Sequence, residues 1–277
     1  MTRKQHFASE GTEGELLNQD LFDDAAPSAN HTLGSSLIGA LWPNGAKSFR
    51  LKPPDSLEDN VTEEIKNFYS LCQKRMANKL DDPRTGFTLA LEEYAGDQGA
   101  FGISGIAVFE QEDNPQYPFI CSAVDAKKAS IDEDRYGFVD TVFIKKKMTV
   151  RQAVQEYGYD NLSKITRKAF DEGKMGEKIE VLHGIEPRMD RDPNGFGSKD
   201  FPIASIHIEY DRNHIIKESG FKEMPVFVTR FWKAMGEKYG RSPAMNALPS
   251  ILEANAIREA TIVAIEKNLE DRKSTRL

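Results

Sequence analysis

The chain has 277 residues, a formal net charge of −7 and a mean hydropathy of −0.55. That length is enough for one large or two modest domains with a buried core. The acidic balance argues against a protein that wraps duplex DNA on a basic surface, because such binding needs clustered Lys and Arg. No run approaches the ~20 apolar residues of a membrane helix, so we expect no membrane partner. Cys72 and Cys121 belong to no C-x-x-C pair, which favours a reduced cytosolic setting.

The first part of the chain is predicted to be helical, after a polar, flexible N-terminus at residues 1–14. A short helix is predicted over Glu15–Asp24 and a second over Ala25–Leu41, where apolar residues recur at helical spacing. The remaining positions of the second helix carry small residues: Gly34, Ser35, Ser36, Gly39 and Ala40. Such residues let another backbone come close, although a merely weak helix is the alternative. Two further helices are predicted over Leu57–Leu80 and about Thr85–Ala95.

The second half is predicted to be rich in β-strands. The predicted strands are Ile103–Phe109, Phe119–Ala123, Tyr136–Lys146, Ile179–Ile185, Ile203–Tyr210, His214–Glu218 and Val226–Trp232. The strand Ile203–Tyr210 alternates most clearly, with Ser205, His207 and Glu209 on its polar side. A helical insert interrupts this region at Val150–Tyr157 and Leu162–Phe170, and Thr149 with Gln152 forms a capping-box signature before it.

Two loops imitate ligand-binding motifs but lack the residues that such motifs need. Glycines recur every third residue at Gly96, Gly99, Gly102 and Gly105, yet neither phosphate-loop pattern is present. We therefore expect a pliable turn into the strand that starts at Ile103. The stretch from Asp190 to Gly195 resembles the start of a calcium loop, but its twelfth position is Phe201 instead of Glu. A polar hairpin tip is the better interpretation.

No catalytic or metal-binding pattern is found. The five histidines are His6, His31, His183, His207 and His214, and they form no H-E-x-x-H motif. No G-x-S-x-G elbow is present, and neither cysteine has a histidine near it in sequence. The basic run at residues 145–147 is interpreted as a solvated strand edge. We therefore expect no catalytic residue, no cofactor and no metal.

The last part of the chain predicts one long helix after a Gly-Arg-Ser-Pro turn. One face of this helix carries residues at three- and four-residue steps: Ile251, Ala254, Arg258, Ile262, Ile265 and Leu269. From Leu248 to Leu269 the helix would be about 33 Å long at ~1.5 Å per residue. A helix of that length should leave its own domain or pack against other chains. An ordinary amphipathic core helix is the alternative.

Several motifs in this region occur in an order that resembles a known family. They are Gly220–Pro225, Phe231–Lys233, Gly236–Met245 and Ala247–Pro249, and the MTVRQ and EYG segments of the helical insert precede them. Together they resemble the portal proteins, or head-to-tail connectors, of podovirus-type bacteriophages. The resemblance covers about residues 10–267. The residues that match the family's most specific motif, in a structural role, are Tyr239, Gly240, Arg241, Ser242, Pro243, Leu248 and Pro249.

The resemblance implies an α+β fold with two parts. Residues 15–240 would form the portal wing domain, with N-terminal helices and a β-rich region that holds the helical insert. Residues 241–277 would start the first stem helix. The family is structural, not enzymatic, and forms a twelve-subunit ring at one capsid vertex of the virion. Its partners would be terminase, capsid and tail proteins, and double-stranded DNA that passes the channel without sequence specificity. Assembly would take place in the host cytoplasm.

The resemblance reaches only the N-terminal part of such proteins. Family members continue through a clip region, a second stem helix, a tunnel loop and a crown, whereas this sequence stops in a charged tail at residues 270–277. We therefore expect a truncated subunit that keeps the wing fold but does not form a working portal alone. Two other classes stay open: a non-catalytic cellular scaffold or adaptor, and a hydrolase whose site assembles only in three dimensions.

Overall fold

The computed structural model describes residues 21–43, 48–54, 62–111, 114 and 116–274, with the backbone alone for residues 270–274. The predicted flexible N-terminus at residues 1–14 lies outside this part of the chain. So does most of the predicted helix Glu15–Asp24, and its described residues Leu21–Asp24 are not helical. None of the described helices is both long and apolar enough to cross a membrane.

Six α-helices and eight strands, with four short 3-10 helices between them, form the described part of the chain. The helices are α1 (Ala25–Leu41), α2 (Glu63–Leu80), α3 (Phe87–Phe101), α4 (Val150–Tyr157), α5 (Lys164–Asp171) and α6 (Pro243–Ser274). The strands are β1 (Ile103–Glu110), β2 (Phe119–Val124), β3 (Ala129–Glu133), β4 (Val139–Thr149), β5 (Lys178–Pro187), β6 (Ile203–Glu209), β7 (His214–Phe221) and β8 (Val226–Arg230). The fold is therefore mixed, as the sequence predicts.

The small residues of α1 serve close packing at one position. Gly34 is the buried residue of α1, and a Cβ there would lie 3.6 Å from the backbone of Ala95 and Gly96 in α3. The Asn30 amide donates to the Gly96 carbonyl at 3.1 Å. The predicted close approach of two backbones is thus confirmed at Gly34. The other four small residues of α1 are exposed.

The predicted end of α3 at Ala95 is wrong, because the helix continues to Phe101 through Gly96 and Gly99. Glycine is a poor helix former, but here its missing side chain admits α1. A Cβ on Gly99 would lie 2.0 Å from Asn30 Oδ1. The helix ends at Gly102, whose φ of 72° is the left-handed conformation that favours glycine at a helix C-terminus.

The strands form two antiparallel sheets. The smaller sheet has the order β2-β1-β8, and the larger one is a meander in the order β3-β4-β5-β6-β7. The seven predicted strands are all present with shifted ends. Strand β3 was not predicted, because its sequence, Ala-Ser-Ile-Asp-Glu, has only one large apolar residue, Ile131, and so shows no apolar alternation.

Two hydrophobic clusters form the core. In the first, the residues of α4 and α5 pack on β4, β5 and β7, with Val150, Ala153 and Leu162 fully buried. In the second, the two sheets contact each other through β1, β4, β5 and β8, with Val142 and Ile185 fully buried. Helix α4 starts at the predicted capping box: the backbone N–H of Gln152 donates to Thr149 Oγ1 at 3.3 Å, and the backbone N–H of Thr149 donates to Gln152 Oε1 at 2.8 Å.

The polar side of β6 is more deeply buried than its apolar side. The predicted alternation holds, but Ser205 and Glu209 are each only 1% exposed, whereas Ile206 and Ile208 are half-buried. Burial of polar groups is tolerated only where they find hydrogen-bond partners. The polar side of β6 therefore marks a place where the helical insert must supply such partners.

Candidate functional site

Helix α6 begins at a cap that ties it to α3. The hydroxyl of Ser242, which is fully buried, donates to the Ala100 carbonyl at 2.8 Å and accepts from Met245 N at 2.9 Å. Pro243 follows as the first helical residue, a position where its missing N–H costs nothing. The Arg-Ser-Pro sequence therefore fixes where the helix starts and which part of the domain it starts from.

Two glycines let the chain before α6 touch the end of α3. A Cβ on Gly240 would lie 1.9 Å from the Gly102 carbonyl oxygen, and one on Gly102 would lie 2.3 Å from the Arg241 carbonyl carbon. The same Gly102 carbonyl accepts from Phe231 N at 2.9 Å. Only glycine fits at such distances. The contact joins segments that are more than one hundred residues apart in sequence.

The remaining motif residues flank this contact. Arg241 and Trp232 exchange backbone hydrogen bonds of 2.8 and 3.3 Å, and the Arg241 side chain makes two hydrogen bonds to the Glu237 carboxylate at 2.9 and 2.6 Å. The Tyr239 hydroxyl accepts from Ile131 N at 3.4 Å, and its ring packs against the core between the sheets. Residues Tyr239–Pro243 thus lie together at one joint, which we call the α6 joint.

Leu248 and Pro249 lie beyond the joint, on the exposed surface of α6. Leu248 is 49% exposed, and Pro249 stands inside the helix, to which it supplies no N–H. Among the described residues, the last hydrogen bond that joins α6 to the rest of the domain is at Asn255. Its Oδ1 accepts from Phe22 N at 2.7 Å and from Asp23 N at 3.2 Å.

Beyond Asn255 the helix leaves the domain. Every residue from Ala256 to Leu269 is exposed, a length of about 20 Å at ~1.5 Å per residue. Five large apolar residues in this span are between 38% and 61% exposed: Ile257, Ile262, Val263, Ile265 and Leu269. We call this span the projecting segment. The predicted projection is confirmed, and an ordinary core helix is the wrong description of this half of α6.

Exposed apolar side chains at this density indicate a contact surface, because soluble chains rarely leave such a set uncovered. The charged residues among them balance: Arg258 and Lys267 oppose Glu259 and Glu266. Ile251 and Ala254, which begin the predicted apolar stripe, are half-buried against the domain. The stripe therefore begins with residues that pack against the chain's own domain and continues with residues that are exposed.

In the part of the chain that the structure describes, the other sequence patterns lie in turns and ion pairs. No group of three or more metal-binding side chains comes together within the described ranges of the chain. The calcium-like stretch is a turn between β5 and β6, in which Asn194 N donates to Asp192 Oδ1 at 2.9 Å. At the end of β4, Lys145 and Lys147 contact Glu180 at 2.5 and 3.7 Å, and Lys146 lies 3.8 Å from Glu156.

A buried polar cluster under the helical insert was missed in the sequence. Glu209 accepts hydrogen bonds from Ser163 N, Ser163 Oγ, Thr166 Oγ1 and Arg212 Nη1 at 2.8, 2.6, 2.8 and 3.1 Å. Burial opposes ionisation of Glu209, but these bonds outweigh it, so its pKa lies below the usual value. The run of polar residues on one side of β6 was the feature of the sequence that could have revealed this cluster. Beside Glu209, His207 stacks on His183 of the neighbouring strand.

Known proteins match most of this chain. The sequence model of the family described as "Bacteriophage head to tail connecting protein" matches residues 1–273. A "Probable portal protein" of Bordetella phage BPP-1 is 26% identical over 267 residues, which are 95% of this chain and 47% of that protein. A "Portal protein" of Salmonella phage epsilon15 is 28% identical over 265 residues, 93% of this chain and 46% of that protein. The chain spans about half the length of these curated relatives.

Proposed function

The chain belongs to the family of bacteriophage head to tail connecting proteins, and from that premise we propose that it is a portal subunit of a tailed-phage virion. In this role many copies surround a channel through which viral DNA enters the capsid during packaging and leaves at ejection. The observation that carries the proposal is the projecting segment of α6, which is built onto a tightly packed joint and has no cover within its own described domain.

We assign the parts of the chain accordingly. Residues 15–240 act as the wing domain, and residues 241–277 contain the first stem helix. The motif residues Tyr239–Pro243 act as the joint that sets the direction of the stem, and Leu248 and Pro249 belong to its first turns. The role is structural, with the energy for packaging supplied by a terminase, and the other partners are capsid and tail proteins.

The apolar side chains of the projecting segment support contacts between copies. Burial of one large apolar side chain stabilises by roughly 1.5–3 kcal/mol, so several such residues per helix favour helix–helix packing. A closed ring needs two different complementary faces on each subunit. One side of the projecting segment belongs to the first of these faces. Its other side contacts the α6 helix of the neighbouring subunit. We propose a ring of twelve copies.

The charges of α6 suit a channel that DNA passes without being held. Duplex DNA binds tightly where many Lys and Arg neutralise phosphates. Among the side chains of α6 that the structure describes, Glu253, Glu259 and Glu266 outnumber Arg258 and Lys267 by one. Helices with this balance around a channel would let the duplex slide, with no sequence preference. Assembly takes place in the host cytoplasm, and the finished ring stays in the virion.

Analytical ultracentrifugation of the purified chain at several concentrations tests this function. We expect a ring-sized species whose mass is near twelve copies, because ring assembly needs only the contact surfaces between subunits and does not require that this chain works as a portal on its own. The variant Ile262→Glu should shift it to the monomer, because a charge would be buried between helices. The matched control Glu259→Gln, in the same helix, should leave the ring intact. A monomer or a dimer of wild-type chain at every concentration would contradict assembly through this surface.

A further inference from the structure

Two histidines on neighbouring strands stack against each other. His183 of β5 and His207 of β6 are direct cross-strand partners, with ring centroids 3.8 Å apart and planes 16° from parallel. His183 Nε2 lies 2.9 Å from Ser205 Oγ, and His207 Nδ1 lies 3.0 Å from the Tyr157 hydroxyl. We call these two residues the histidine pair. Each ring therefore has a hydrogen-bond partner as well as a stacking partner.

The pair lies between the two core clusters on one face of the larger sheet. On that face of β5, Val181 on one side of His183 belongs to the cluster under the insert, and Ile185 on the other side belongs to the cluster between the sheets. Tyr157, which is 8% exposed, is the last residue of α4 and belongs to the first cluster. The pair is thus the point at which the end of α4 is tied to the middle of the sheet.

The charges that face the pair from the packed elements are mostly positive. Lys146 of β4 and Lys217 of β7 disfavour a charge on both rings, and His183 disfavours a charge on His207. From α4, Glu156 faces the Tyr157 hydroxyl, and its carboxylate lies 3.8 Å from Lys146 Nζ. From β6, Glu209 is engaged with α5 and Arg212. From β1 the neighbour is the uncharged ring of Phe109.

These surroundings keep both rings neutral at pH 7. Burial, with Lys146 and Lys217, lowers the pKa of His183 to about 4. Burial, with His183 and the same lysines, lowers the pKa of His207 to about 3. Burial, with Glu156, also raises the pKa of Tyr157, so its hydroxyl keeps its proton at pH 7 and can donate to His207 Nδ1 or accept from it, depending on the histidine tautomer. On protonation of His207 the hydroxyl can turn and accept, and the cost is therefore mainly electrostatic.

We propose that the histidine pair is an acid-sensitive switch, which holds the helical insert (residues 150–177) on the sheet when neutral and releases it when protonated in mild acid. A proton on either ring places a positive charge 3.8 Å from the other ring and near two lysines. The charged ring gains water if α4 moves away, because Tyr157 and the end of that helix cover it. Movement of α4 away from the sheet therefore solvates the pair.

The pH window follows from the direction of the pKa shifts. A histidine whose folded pKa lies below its ordinary 6.5 contributes stability that is complete above pH 6.5 and is lost as pH falls towards 4. If opening takes up one proton, its equilibrium constant rises about tenfold for each unit by which the pH falls. If opening takes up two protons, the rise is about 100-fold per unit. Glu209 has an ordinary value of 4.5 and a lowered folded value. The stability that its hydrogen bonds contribute is therefore lost only below pH 4.5, outside the window from pH 6.5 to 5.

Hydrogen exchange of the full chain, read by mass spectrometry at pH 7.5, 6.5, 5.5 and 5.0, tests the switch. After correction for intrinsic exchange, protection within residues 150–177 should fall by at least about tenfold per unit below pH 6.5. Peptides from β1 and β8 should keep their protection. Protection of the insert that does not depend on pH, or equal opening of both sheets, would overturn the proposal.

The variant His207→Phe keeps a ring in the stack and removes a proton acceptor, so the acid opening of the insert should be reduced at least tenfold at pH 5.5. The control His31→Gln changes an exposed residue of α1 and should behave as wild type. An unchanged acid response in His207→Phe would overturn the switch. If that variant does not fold, an NMR titration of the histidine ring signals in the wild-type chain tests the switch instead. Two histidines that titrate well below 6.5 support the switch, and five that titrate near 6.5 refute it.

Discussion

The two halves of α6 differ in how they meet the rest of the molecule. At the α6 joint, backbone meets backbone without room for a methyl group, and a buried serine caps the helix. In the projecting segment every side chain is exposed, although several are large and apolar. The same helix is thus tightly fixed at its base and uncovered beyond it. We infer that the base determines direction and that the exposed half makes contacts outside the domain. Substitutions in the two halves should therefore affect different measurements.

The largest effect is expected for Gly240→Val at the joint. Its Cβ would lie 1.9 Å from the Gly102 carbonyl oxygen, a backbone atom that cannot rotate away. We expect the free energy of unfolding to fall by about 3 kcal/mol or more, as measured by urea denaturation of the chain. Gly39→Ala is the control, because a Cβ at that exposed helical position meets nothing within 4 Å. It should stabilise by up to about 1 kcal/mol. Equal effects of the two variants would contradict a tight joint.

A smaller loss is expected for Ser242→Ala. The substitution removes the cap of α6 and the donor that satisfies the Ala100 carbonyl. We expect the free energy of unfolding to fall by about 1–2 kcal/mol, which a thermal melt followed by circular dichroism should detect. Ser35→Ala, on the exposed face of α1, should stay within about 0.5 kcal/mol of wild type. A cap that contributes nothing would leave both melts unchanged.

The smallest effect on folding is expected for Ile262→Glu in the projecting segment. The side chain is exposed in the single chain, so the free energy of unfolding of the monomer should change by less than about 0.5 kcal/mol. The same variant should have the largest effect on assembly. Denaturation at a concentration where the wild-type chain is monomeric separates the two. A loss of several kcal/mol in that experiment would mean that Ile262 packs within its own subunit.

The sequence predicted those elements whose signals are local. Helix α1 runs over Ala25–Leu41 and α4 over Val150–Tyr157, as predicted, because helical periodicity and the Thr149 capping box specify both without help from distant residues. The presence of one long projecting helix also followed from periodicity, although α6 runs over Pro243–Ser274 and is longer than the predicted span Leu248–Leu269. Strand β3 did not, because a single apolar side chain gives no alternation to detect.

What depends on distant contacts was not predictable. Gly96 and Gly99 predicted a turn, but α3 continues through both, and Asn30 of α1 contacts the backbone of Gly96 and lies where a side chain on Gly99 would be. The α6 joint depends on the approach of Gly240 to Gly102, and the motif alone gives no hint of that partner. The histidine pair depends on the register of β5 against β6, which places His183 opposite His207. Burial of Glu209 was hidden because a charged residue is usually exposed.

Electron microscopy of the assembled chain tests the central claim most directly. Class averages viewed along the symmetry axis should contain a closed ring, and a reconstruction should place the copies of α6 side by side around a central channel. The residues Ile257, Ile262 and Ile265 should lie between neighbouring helices. A ring in which α6 points to the outside, or an assembly without rotational symmetry, would contradict the account of the projecting segment.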